Sequence, residues 1–518
     1  MNKHITKAVG VSLTTVLVLS ACGGDQSSTE LSLDPGAEAC VAEQTAESTG
    51  VPSTQRIFAW IEDLVGLGYR RTGTVAGYAA AAYVKCQLEA LGVDEVFYET
   101  ATTWQWTAEE ASVHVDGTPI DAFPSAHSFV TPDQPSRFAT PEGGLRAELV
   151  DVGLGTPVEI AAADLEGKIA VFDLKFLLPP AGLAALTEFL WDPEASIAQP
   201  SLITGNPYIT NYDTVLAEVM DAGAVGFIGV LADYFNSNQY YNEYYRRLQV
   251  TIPGYWVSPV EGAALRQRMS EQAGLTASLV MRGERREVEA RSVVGILHGD
   301  SNETIMVQSH HDAAFDGAVE DGSGVAAVLA QAQYFASQPP ESRARTLMFL
   351  TMDSYFTGYQ GHMALVDKYI LDPQSPYDIV ANVTLEHIGK QGVVDADGEL
   401  EIQDQHEIRG VFENVGPTLK AQIIQSVVDH DLRRLAVLSG EALCATVGIP
   451  TDASFVCING VPTVSLIAGP NYLYDAADTL DKVDQSQLVP VTEAFIEIIE
   501  AIDDTPRALI GVTSGAGG

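Results

Sequence analysis

The chain has 518 residues, 69 acidic against 28 basic, a formal net charge of −41 at pH 7 and a hydrophobic content of 46%. That length provides for two or three domains, and so high an apolar share with only 19% charged residues excludes a disordered chain. Acidity on this scale excludes nucleic acid as a partner; it fits a solvated surface, with attraction of cationic peptides to a cleft as the sharper alternative.

The amino end carries Lys3 and Lys7, an apolar run from Ala8 to Leu19, and Leu-Ser-Ala-Cys ending at Cys22, the pattern of a secretory signal. It resembles a bacterial lipoprotein signal. On that resemblance residues 1–21 are the signal, Cys22 is the lipidated anchor and residues 22–50 are a polar tether. Gly23 after the cysteine is similar to the pattern of outer-membrane sorting, so the expected address is the cell envelope, on its periplasmic or surface side. Ordinary secretion with cleavage nearby is the plainer alternative. No later run of roughly eighteen apolar residues predicts a membrane-spanning helix. Four further cysteines suggest two disulfides in an exported protein, most simply Cys40 with Cys86 and Cys444 with Cys457.

Residues 53–67 and 75–91 read as two helices around GYRRTGT, followed by the strand VDEVFYET. From 142 to 285 the pattern shifts to strands and turns (GKIAVFDL, AGAVGFIGV, IPGYWVSP), a separate module between residues 51–141 and 286–505, with 506–518 as a tail. That module holds DYFNSNQYYNEYYRRL at 233–248, whose aromatic residues suit an interface or, less simply, a substrate entrance. RSVVGILHG, ETIMVQSHHD, ARTLMFLTMD, YDIVANVTLEHIG and VPTVSLIAG then alternate with helical segments, predicting an α/β fold: a mixed sheet with helices on both faces. Ligand sites in such sheets lie at the carboxyl ends of the strands.

One strand end is chemically distinctive. ETIMVQSHHD places His310 and Asp312 on one side, so that one can bind a metal while the other orients it. GAVEDGSG follows, with Glu320 and Asp321 ahead of the helical run VAAVLAQAQYFAS. A solvated acidic loop is the bland alternative, but these features on one strand-loop-helix favour a metal. His311 and His387 read as structural, because in a strand each points away from its neighbour in the motif, and His430, in an apparent helix, reads as a surface residue rather than a ligand.

These segments together resemble the exported zinc exopeptidases of the bacterial leucine aminopeptidase and glutamate carboxypeptidase type, family twenty-eight of the metallopeptidases. GYRRTGT, SHHDA, GAVEDGSG, GYQGH, TLEHIG, IPTDASF and DAADTLDKVD stand in the family's order, and the middle module is similar to the inserted, β-rich protease-associated domain. The resemblance implies a peptidase acting on peptides or small amides with two zinc ions, one acidic bridge and a Glu base. It implies His310 and Glu386 as ligands of one ion, Asp312 as supporting acid, Glu320 at the bridge and Asp321 where Asn is usual. The other half departs. Tyr355-Phe356 stands where the base and a ligand belong, and Tyr474, four residues before Asp478, stands where the second ion's histidine belongs.

Asp353, Asp475 and His362 are candidate rescues, and Tyr355 or Tyr474 is a candidate hydrogen-bond donor to an oxyanion. The expectation is a metal-dependent peptidase with an altered centre holding one zinc or other divalent ion rather than two. A catalytically inactive relative that binds a peptide or a protein is the alternative, and aminoacyl cyclisation is a weaker one.

Overall fold

The computed structural model describes residues 49–242 and 248–512. The signal segment, Cys22, Cys40, the tether up to residue 48, the centre of the aromatic stretch at 243–247 and the end of the tail at 513–518 lie outside the described residues.

Helix α1 (Thr54–Gly66) starts where the Ser53 side chain accepts the Arg56 N–H, and α2 (Val75–Ala90) starts where Thr74 accepts that of Gly77. Strand β1 (Glu95–Val115) is far longer than VDEVFYET predicts. It pairs antiparallel along its length with the equally long β7, forming a ribbon that leads into and out of the middle module. Within that module β2 (Leu145–Asp151), β3 (Ile169–Leu174), β5 (Gly226–Leu231) and β6 (Gly254–Val257) are parallel neighbours. Between β3 and β5 the chain leaves the module to form β4 (Thr187–Trp191), which becomes the antiparallel edge of the main sheet.

Strand β7 (Thr276–Leu297) joins the two modules: its start pairs with β2, its end with β9. The main sheet then runs β7, β9 (Arg345–Met352), β8 (Ser301–His310), β10 (Asp378–Leu385), β13 (Thr463–Ala468), β11 (Arg409–Glu413), β12 (Leu435–Ser439) and β4. Strands β9, β8, β10 and β13 are parallel, so their carboxyl ends share one edge.

Period-2 alternation sends side chains into two cores. Ile305, Val307, Leu347 and Phe349 pack with α1, α3 (Gly324–Ser337) and α5 (Gln485–Asp504), whereas Met306, Met348, Leu350 and Met352 face Leu365 and Val366 of α4 (Gln360–Val366). The sheet is therefore covered on both faces, as parallel strands require. Cys444 and Cys457 are joined by a disulfide, while the other expected pairing involves Cys40, outside the described residues.

Candidate metal centre

The shared strand edge collects the motif residues. Strand β8 ends at His310, β9 leads into Asp353, β10 into Glu386, and the turn after β13 reaches Tyr474. The loop after β8 is braced from α1's far end. The fully buried Arg70 donates to the carbonyls of His311 (3.0 Å), Asp316 (2.6 Å) and Gly317 (2.8 Å), which gives GYRRTG its role. Asp478 pins the same loop by accepting the N–H groups of Val319 (2.9 Å) and Glu320 (2.8 Å). Gly324 lets the loop meet β10, since a Cβ there would lie 2.4 Å from the Leu385 carbonyl oxygen.

His310 is fully buried. Its Nδ1 lies 3.0 Å from the Asp312 carbonyl and 3.5 Å from its carboxylate, which leaves Nε2 facing Glu320 Oε1 at 3.3 Å. The Asp312 carboxylate accepts the N–H groups of Tyr355 and Phe356, each at 3.2 Å, and the Thr72 hydroxyl at 3.3 Å. It therefore holds the imidazole and also positions the two aromatic residues Tyr355 and Phe356. Glu386 lies 2% exposed on the other side, its Oε1 accepting the Asp452 N–H at 3.0 Å. Burial first, then the Asp452 carboxylate, pushes the Glu386 carboxyl well above the ordinary range.

Three expected participants do not reach this cluster. Asp321 accepts the Ser309 hydroxyl (2.6 Å) and the N–H groups of Gly324 (3.1 Å) and His387 (3.2 Å); its carboxylate is committed to tying loop to strand. Asp353 accepts from the Thr72 hydroxyl (2.6 Å), Ser354 N–H (2.7 Å) and Arg291 N–H (2.8 Å), behind Asp312 rather than beside His310. Burial raises Asp321 and Asp353 each to about 7. Asp475 turns toward the middle module, accepting from the Ser237 hydroxyl at 2.6 Å and the Ala477 N–H.

The sequence pattern also misses residues. His387, expected to point away, has φ +64° and turns inward. Its Nδ1 donates to the Ala468 carbonyl and its Nε2 forms an ion pair with Glu320 Oε2. Burial opposes the imidazolium, but the carboxylates of Glu320 and Asp321 outweigh it and raise the pKa to about 10; by the same pairing Glu320 drops to about 2 despite burial. His362 also lies inside, its Nε2 3.2 Å from Asp452 Oδ1. The only sequence hint for His387 is the glycine two residues on, Gly389, just past the strand that ends at Leu385.

Aromatic side chains pack on the other side of His310. The Tyr355 ring stacks on His310 with centroids 4.3 Å apart and planes 5° apart, and its hydroxyl meets that of the buried Tyr474. Phe356 packs edge-on to Tyr474 at 5.4 Å, and Tyr240 of the middle module approaches Tyr474 at 6.1 Å. With one hydroxyl engaging the other, Tyr355 and Tyr474 form a wall. Alongside it lies a cavity of about 970 Å³, lined by Tyr355, Tyr359, Asp452, Ile449, Phe455 and, from the middle module, Leu183.

A metal fits the chemistry of the donors but not their present arrangement. His310 Nε2 and both Glu320 oxygens are buried and meet only other ionisable side chains, and an imidazole with two carboxylates suits zinc or a similar divalent ion. Yet His387 occupies Glu320, and among the described residues no three His, Cys, Asp or Glu side chains come together in a group able to hold an ion.

Residues 292–499 match the model of Peptidase family M28. No curated protein sequence matches the chain. Among solved structures, a Peptidase M28 precursor from Shewanella amazonensis SB2B shares 18% identity over 91% of this chain and 97% of its own, with a TM-score of 0.65. A zinc aminopeptidase from Bacillus subtilis shares 16% over 89% and 98% (TM-score 0.59), and an aminopeptidase from Aneurinibacillus sp. strain AM-1 shares 16% over 89% and 94% (TM-score 0.58). These likenesses show the fold.

Proposed function

We propose that the chain is an exported, lipid-anchored hydrolase of peptides or small amides whose altered centre works with one divalent ion rather than two. The observation that supports this is the contrast around His310. On one side the buried His310 Nε2 and Glu320 Oε1 face each other at 3.3 Å; on the other, Tyr355 and Tyr474 fill the second position. The zinc aminopeptidase of similar fold makes zinc the first ion to test. His310, Glu320 and Glu386 would hold it, and it would polarise a carbonyl and activate water. The residues around it orient and enclose. Asp312 holds the His310 ring, the tyrosine wall excludes water, and the apolar cavity admits a bulky side chain with the Asp452 carboxylate in its lining. Leu183 and Tyr240 bring in the middle module, which we take to be the protease-associated domain. With no carboxylate at Tyr355 or Phe356, turnover is expected roughly 10²- to 10⁴-fold below that of an enzyme with a general base.

The test is metal content by elemental analysis together with turnover of aminoacyl and dipeptide amides. Chelator-sensitive activity that disappears with the bound metal in His310→Ala is the expected result. A second reading, a binding module without turnover, is favoured by the His387–Glu320 pair; it prevails if the zinc-supplied protein binds apolar peptides but cleaves none of the panel. The anchor is tested separately: labelled fatty acid should enter the wild type and not Cys22→Ser.

A further inference from the structure

The direction of Glu320 does not depend on His387. Asp478 fixes its backbone and that of Val319 through two N–H bonds, and Arg70 holds the carbonyls of Asp316 and Gly317, so the Glu320 backbone is presented by its own loop. His387 is brought to it by a local departure from strand geometry. A residue following Glu386 in a continuing strand would leave on the opposite face. The left-handed φ of +64° cancels that alternation, and the bond from Nδ1 to the Ala468 carbonyl fixes which ring nitrogen meets Glu320. A non-glycine residue held in this region is uncommon and needs surrounding structure to keep it there. Here the His387 N–H on Asp321 and the Ile388 N–H on the Ser323 hydroxyl (2.9 Å) supply it.

We infer that the His387 ring stands where a divalent ion would meet Glu320, so that it sets how readily the centre takes up metal. Both side chains are buried, 1% exposed each, and one carboxylate oxygen cannot serve an imidazole N–H and an ion at once. Metal entry therefore requires His387 to leave Glu320. His310 remains as the nitrogen donor and Tyr355 stays stacked against it. The inference rests on the single-ion reading proposed above.

The test is a zinc titration of the chelator-treated full chain by calorimetry. His387→Met is expected to bind zinc at least tenfold more tightly than wild type. His387→Gln should fall between them, since its neutral amide can still reach Glu320. Equal affinity in all three overturns the inference. Because His387→Met leaves a buried carboxylate with one partner fewer, its fold is checked by circular dichroism, and zinc-soaked wild-type crystals provide an independent result. An ion on Glu320 with His387 displaced, or no ion on Glu320, supports the inference; an ion there with His387 still paired sinks it. Peptide turnover is read separately, so its absence counts against the proposed hydrolase and not against this competition for Glu320.

Discussion

The two sides of His310 are built in opposite ways. Around Glu320 ionisable groups are buried, and their charge is met from within by His387 and His310. Around Tyr355 and Tyr474 aromatic rings pack on one another and on His310. The first half is still a polar site whose occupant can change; the second has become part of the core. Burying a charge demands a partner, whereas burying a ring demands only shape and a home for its hydroxyl.

The largest expected effect comes from breaking the polar half. Glu320→Ala leaves the His387 imidazolium buried without its carboxylate and should destabilise the protein by about 3–5 kcal/mol in urea unfolding. Adding His387→Met should recover much of that loss, because the stranded charge goes with it. A loss below about 1 kcal/mol for Glu320→Ala would show that the pair is solvated and the two halves alike.

The next effect is pH dependence. The His387 pKa rises from 6.5 to about 10 on folding, so its contribution is complete below pH 6.5 and declines until about pH 10. Glu320 falls from 4.5 to about 2, and its share is complete above pH 4.5 and lost as pH drops toward 2. Asp321 and Asp478, raised by burial from 3.8 to about 7, disfavour the fold increasingly between those values and add no further slope above them. Between pH 7.5 and 9.5, then, stability should fall with pH, and His387→Met should flatten the slope by up to about 1.4 kcal/mol per pH unit. Parallel curves for wild type and variant would remove His387 from the account.

The sheet, its two covered faces and the gathering of motifs at one edge were legible because they follow from periodicity and from strand direction. His310 closes β8 with Asp312 just beyond it, Glu386 follows the end of β10, and Glu320 lies on the loop after β8, so all four belong to the same sheet edge. Asp321, Asp353 and Asp475 could not be judged that way. All three are acids within a residue or two of a motif position, and only the backbone N–H and hydroxyl groups that meet them show that they are occupied. His387 was hidden for the converse reason: one left-handed residue reverses the face on which a side chain emerges, and nothing in LEHIG marks it except the glycine that follows. The loss of Glu-Glu and His was visible in the sequence, but the contact between their replacements was not.

That contact gives the finest test of the comparison. If the aromatic half is true core, Tyr355 and Tyr474 act as a unit, since their hydroxyls meet in a space where Tyr474 has no exposure and Tyr355 only 7%. Tyr355→Phe removes one hydroxyl and takes a partner from the other, and should destabilise by about 0.5–1.5 kcal/mol; Tyr474→Phe should do the same. The double variant removes both groups at once, so its loss should be clearly smaller than the sum, with a coupling of about 0.5 kcal/mol or more in a double-mutant cycle. Additive losses near zero would instead describe two rings lining a wet gap. The contrast between the halves would then be one of composition and not of packing.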